Sequence, residues 1–120
     1  MSATIITIEG IKFKTKTIPR RRLVSLWKEL TERPFPRVAA FQMGDSDFDH
    51  TIELRKCRDD ARREMREWGR VLSTRGTDAC VFNSCGGTDV DYVILVRKNP
   101  YHDFGEILKH ELSHIARGDL

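Results

Sequence analysis

Residues 92–118 form a strand–turn–helix unit, and that unit limits the folds open to the chain. Val93, Ile94, Leu95 and Val96 make a short, uninterrupted apolar run of strand type. Asn99–Pro100 follows, which supplies an N-cap residue and a first-turn proline for a helix that ends at Gly118. With His110 as origin and about 100° per residue, Phe104, Leu108, Leu112 and Ile115 fall between about 120° and 200°. His114 lies near ~40°, Asp103 near ~20° and Glu106 near ~−40°. The helix is therefore amphipathic, with two histidines off its apolar side.

The rest of the chain supplies what this unit packs against. Thr4–Ile8 and Ile11–Thr17 are β-branched and alternating around Glu9–Gly10, as in a β-hairpin. Pro19 opens a helix in which Leu23, Leu26, Trp27 and Leu30 recur at helical spacing, until Pro34 and Pro36 end it. Val38–Met43 is a short strand or an extended connector. Beyond a polar stretch, 44–50, residues 51–73 carry an apolar stripe of Leu54, Cys57, Ala61, Met65, Trp68 and Leu72, the pattern of a long backing helix. Ala79–Asn83 and Tyr92–Arg97 read as a second hairpin around Cys85–Gly86–Gly87–Thr88–Asp89. The expected class is α+β: hairpins or a mixed sheet on a long helix, with the histidine-bearing helix last.

At 120 residues the chain makes one domain. A net charge of +3 is too small to argue nucleic-acid binding by itself. No apolar run reaches the ~18 residues of a membrane span, and no secretory leader opens the sequence. Cys57, Cys80 and Cys85 are an odd count, suited to reduced thiols and so to a cytoplasmic setting. Cys80 and Cys85 lack a second pair of metal-ligand spacing.

The chemistry concentrates in His110, Glu111 and His114, an HExxH spacing. Histidines at i and i+4 share one helix face and can hold one metal ion together, while Glu111 sits about 100° around the axis. Zinc is the metal this donor set suits. A catalytic zinc takes three protein ligands and leaves one position for water, whose pKa it lowers to about 7. Glu111 is then the general base and acid of a hydrolysis. Asp103 and Glu106 are candidates for orienting the ligands, or first-turn acids complementing the helix dipole.

The stretch His110-Glu111-Leu112-Ser113-His114-Ile115-Ala116-Arg117-Gly118-Asp119 resembles the HExxHxxxxD signature of gluzincin zinc metallopeptidases, as in the HtpX-type and BlaR-type catalytic cores. The small minigluzincins are similar to the same cores. The resemblance covers 91–120 in motif and roughly 50–90 in architecture, and does not extend over 1–45. It implies a zincin-like fold, a peptide or protein substrate added as an extended strand near residues 91–97, and Asp119 as a structural partner of the site. Gluzincins take their third ligand, a glutamate, from a later helix that is missing here. Either such a segment lies elsewhere, or Asp119 itself folds back as third ligand; His50, His102 or a cysteine could also contribute, although no spacing supports them.

Two other segments carry charge. Asp45, Asp47 and Asp49 alternate as calcium ligands do, but His50 and Lys56 stand where a calcium loop needs glycine and glutamate, which leaves a solvated acidic loop. Lys12, Lys14 and Lys16 share one strand face ahead of Arg20, Arg21 and Arg22. They could track a phosphate backbone with Trp27 stacking a base; the plainer reading has the lysines guarding an edge strand and Trp27 in the core. Nucleic acid is accordingly not the expected partner. The alternatives to a peptidase are a small basic nucleic-acid-binding domain and a regulatory interaction domain whose HExxH is non-catalytic or latent.

Overall fold

The structure, a computed structural model, describes residues 3–63, 78–83 and 90–118, with backbone alone for 55–63 and 82–83. Its elements are β1 (Thr4–Ile8), β2 (Ile11–Thr17), α1 (Arg20–Leu30), β3 (Val38–Met43), α2 (Asp45–Arg63), β4 (Ala79–Asn83), β5 (Tyr92–Arg97) and α3 (Phe104–Arg117). The α+β class expected from the sequence is present. Both hairpins are present too, but they are joined into one five-stranded mixed sheet of order β1-β2-β3-β5-β4. The joint is β3, antiparallel to β2 and parallel to β5.

Local chemistry accounts for the turns. Glu9 (φ 51°) and Gly10 (φ 80°) both occupy the left-handed region, the geometry a two-residue hairpin loop needs to match strand twist. Pro19 stands at the N-cap position of α1, which ends where the Thr31 N–H bonds the Trp27 carbonyl, three residues before Pro34. Trp27 is core: it is buried, and its Nε1–H donates to the Arg33 carbonyl at 2.8 Å.

Two helix starts differ from the sequence reading. The acidic stretch is not a loop, since α2 begins at Asp45, six residues earlier than expected. Asp45 and Asp47 in the first turn complement the positive end of the helix dipole, and Phe48 at the next turn is fully buried. The stripe residues Cys57 and Ala61 have no described side chains, and Met65, Trp68 and Leu72 lie outside the described residues. At the other helix, α3 starts at Phe104 with Asp103 as N-cap, its carboxylate accepting from the Glu106 N–H at 3.2 Å; Asn99–Pro100 belongs to the preceding turn. The end at Gly118 is as expected, a left-handed cap with φ 70°.

The sheet is covered on both faces. On one, Leu23 and Trp27 of α1 and Ile107, Leu108, Leu112 and Ile115 of α3 pack on Val38, Ala40, Ile94 and Val96. On the other, Phe48 with Ile52 and Leu54 of α2 packs on Phe13, Met43 and Leu95. A strand covered on both sides must be apolar at every position, which is why β5 reads as a continuous run. The long helix therefore backs one face only, and α3 lies on the opposite face.

Candidate metal centre

The capped, amphipathic α3 buries its apolar side against the sheet and turns His110 and Glu111 toward a cleft beside β4, with His114 one turn along the same helix. The imidazole Nε2 atoms of His110 and His114 are 3.1 Å apart, their rings nearly perpendicular at 4.7 Å between centroids. Nitrogens at the usual zinc distance of ~2.0–2.1 Å and with this separation would subtend about 97° at a shared ion, within the range of a distorted tetrahedral or five-coordinate site. One Glu111 oxygen lies 3.9 Å from His110 Nε2, and ligand atoms of all three residues fall within 4.8 Å of one another. The three side chains are close enough to hold one metal ion together.

The three side chains differ in exposure. His110 is exposed, His114 is half-buried and Glu111 is only 7% accessible. Burial pushes the Glu111 carboxyl above its ordinary pKa, against a smaller opposing pull from His114. A carboxyl raised in this way is a better proton acceptor than a solvated one. His114 Nδ1 faces an Arg117 nitrogen at 3.3 Å. A guanidinium only donates, so this contact makes Nδ1 the acceptor and leaves the ring proton on Nε2. Ligation through Nε2 would require that proton to move or leave and Arg117 to swing aside.

The cleft is an open cavity of about 500 Å³ whose far wall is formed by Asp78 and His102. Asp78 is buried and accepts three hydrogen bonds: from the Tyr101 N–H at 2.8 Å, from the His102 N–H at 3.0 Å and from His102 Nδ1. Burial alone would raise its pKa, but these donors outweigh it and hold the carboxyl below the ordinary value. The ionised carboxylate can only accept, so His102 carries its proton on Nδ1. Asp78 was not legible as a site residue: its partners are 23 and 24 residues away. His102 carries no motif spacing of its own.

Two more aspartates hold the same β5–α3 connection. Asp45 accepts from the Asn99 backbone N–H and side-chain amide, which lowers its pKa chiefly through the backbone bond. Asp49 pairs at 2.6 Å with Arg97, whose buried guanidinium lies over the Phe48 and Tyr101 rings. Asp45 and Asp49 are thus tethers for the end of β5 and the turn that presents His102.

The other candidates divide clearly. Glu106 lines the cavity and stays available to orient a ligand. Asp103 is spent on its cap and does not line the cavity. Asp119 lies outside the described residues, as does Cys85. His50 packs against Phe13 and belongs to α2, on the opposite side of the sheet from α3. Cys80 packs with that same α2-side cluster, so neither contributes to the centre. The expected substrate position at a sheet edge near residues 91–97 is also corrected: β5 is hydrogen-bonded on both sides, and among the described strands β4 is the outermost on that side.

Comparison with known protein families, with characterised proteins and with solved structures finds no match to this chain.

Proposed function

We propose that the α3–β4 cleft is a zinc centre for hydrolysis of peptide bonds. The observation that carries this is the convergence of two imidazole Nε2 atoms and a desolvated Glu111 carboxyl within 4.8 Å of one another, beside a cavity that His110 and Glu111 line. His110 and His114 would hold the ion, with Asp119 the candidate for a third protein ligand. Zinc, when bound, supplies electrophilic polarisation and an acidified water. Glu111 takes a proton at its carboxylate and returns it to the leaving amine. Glu106 orients the ligands from the cavity wall.

A substrate peptide adds along the outer edge of β4, which pairs with β5 on its inner side alone among the described strands. A zincin-like assignment of the fold belongs to this proposal, as does a reducing, cytoplasmic setting; no described helix is long and apolar enough to cross a membrane.

The test is elemental analysis of the purified chain after zinc reconstitution, beside His110→Ala and Glu111→Gln. About one zinc per chain, lost in His110→Ala and kept in Glu111→Gln, is expected, with peptide cleavage lost in both variants. A wild-type chain that takes up no zinc sinks the reading. Stoichiometric zinc without cleavage of any peptide in a mixed library would favour a regulatory, non-catalytic site.

A further inference from the structure

We propose that the bare face of the β1–β2 hairpin binds the phosphate backbone of a nucleic acid, independently of the metal centre. The net charge of +3 conceals a segregation along the chain. Residues 1–28 hold seven bases (Lys12, Lys14, Lys16, Arg20, Arg21, Arg22 and Lys28) against one acid, Glu9, for a net +6; the remainder is therefore net −3.

The fold turns this segregation into a surface. Phe13 and Thr15 are buried toward α2, so Lys12, Lys14 and Lys16 point to the opposite side of β2, and all three are exposed. Ile18, next in the same alternation, enters the α1–α3 side of the core, which fixes which face the lysines occupy. Across the rest of the sheet that face is covered by α1 and α3; over the hairpin no described helix covers it. No described acid pairs with any of the three lysines.

Edge protection does not explain them. The outer strand is β1, whose sequence TIITI carries no charge, while β2 lies inside it. Along a strand, alternate side chains repeat every ~6.8 Å. Each strand of a duplex carries one phosphate per ~3.4 Å of axis, so lysines at this spacing match every second phosphate along it. The ladder leads to the first turn of α1, which holds three arginines and no acid, an arrangement opposed to the helix dipole that a nearby anion would relieve. Arg20 and Arg22 lie over the Phe35 and Phe104 rings. Among the described residues, the one large exposed apolar side chain on the lysine face is Ile5, directly opposite Lys14. That is too little apolar area to hold a bilayer, which favours a phosphodiester chain over a lipid surface.

The experiment is fluorescence anisotropy of the full chain with labelled 20-nucleotide single-stranded and 20-base-pair duplex DNA, from 50 to 200 mM salt, beside Lys12→Gln/Lys14→Gln/Lys16→Gln and His114→Ala. With about four phosphates neutralised, affinity for at least one probe should fall roughly 100-fold over that range. The triple variant should reduce the slope of log K against log salt by about 3, and His114→Ala should leave it unchanged. Circular dichroism checks that the variants fold. Binding absent at 50 mM salt, or untouched by the triple substitution in a folded protein, overturns the proposal. So does tighter binding to phosphatidylserine vesicles than to either DNA.

Discussion

Replacing Asp78 by asparagine tests whether the far wall of the cleft is built as described. The carboxylate accepts from two backbone N–H groups and from His102 Nδ1, and only about 5% of the side chain is exposed. An amide has one acceptor oxygen. If that oxygen keeps the two His102 donors, the NH₂ group meets the Tyr101 N–H, and one buried donor loses its partner. That loss costs about 1–3 kcal/mol, and weakening the other two bonds from charged to neutral adds roughly 0.5–1 kcal/mol each. The sum is about 3 kcal/mol, or roughly 10 °C in melting temperature for a domain of this size. Thermal denaturation followed by circular dichroism at pH 7 measures it. Asp91→Asn is the control, because its ion pair with Arg37 is largely exposed and solvent-screened, and its loss should leave the melting temperature nearly unchanged. The pH dependence has a definite sign. The Asp78 carboxyl has a depressed pKa in the folded protein, so its contribution is fully present above the unfolded carboxylate value near ~3.9 and is lost as pH falls through the lower folded value. The gap between wild type and Asp78→Asn should therefore be present at pH 7 and should close as the solution is acidified below about 4. A variant melting within about 2 °C of wild type at pH 7, or a gap that persists unchanged into strong acid, refutes the three-bond description.

Leu108→Ala, which empties a fully buried position between α3 and the sheet, should cost about 3–4 kcal/mol in guanidinium denaturation; a loss under ~1 kcal/mol would mean that α3 does not dock there. Gly118→Ala places a Cβ at φ 70° and should cost about 1 kcal/mol, seen as a small fall in melting temperature, whereas no change would argue against the left-handed cap. Arg117→Leu removes the donor facing His114 Nδ1 and should raise zinc affinity by several-fold in a chelator competition. Unchanged or weaker affinity would show that the contact does not oppose ligation.

The parts of the fold legible in the sequence were those written in local patterns. The β1–β2 turn is fixed by Glu9–Gly10, the apolar face of α3 by the spacing of Phe104, Leu108, Leu112 and Ile115, and the α3 terminus by Gly118. What was missed depends on contacts distant in sequence. Asp45, Asp47 and Asp49 resemble a loop by composition, yet Phe48 among them is fully buried, and that burial carries the helix through a polar segment. Asn99–Pro100 has the chemistry of a helix start, but Asn99 is bound to Asp45, 54 residues earlier, and Asp103 caps instead. The histidines were legible because i, i+4 spacing is local. Their opposing wall was not, because Asp78 reaches His102 only through the sheet.

That dependence makes the β4–β5 register the link between fold and site. Ala79 pairs with Val96, so Asp78 is the first residue beyond the ladder, where its carbonyl accepts from the Arg97 N–H at 3.0 Å. The same alternation directs Ala79 and Val81 toward the α3 side and Cys80 toward α2. A slip of one residue would exchange those faces, set the thiol against α3 and withdraw Asp78 from the turn that carries His102. Arg97 resists such a slip, since its guanidinium is fixed between two rings and paired to Asp49 on the far side of the sheet. The acidic first turns of α2 lie on the face opposite the metal helix, and they nevertheless set where the wall of the cleft stands.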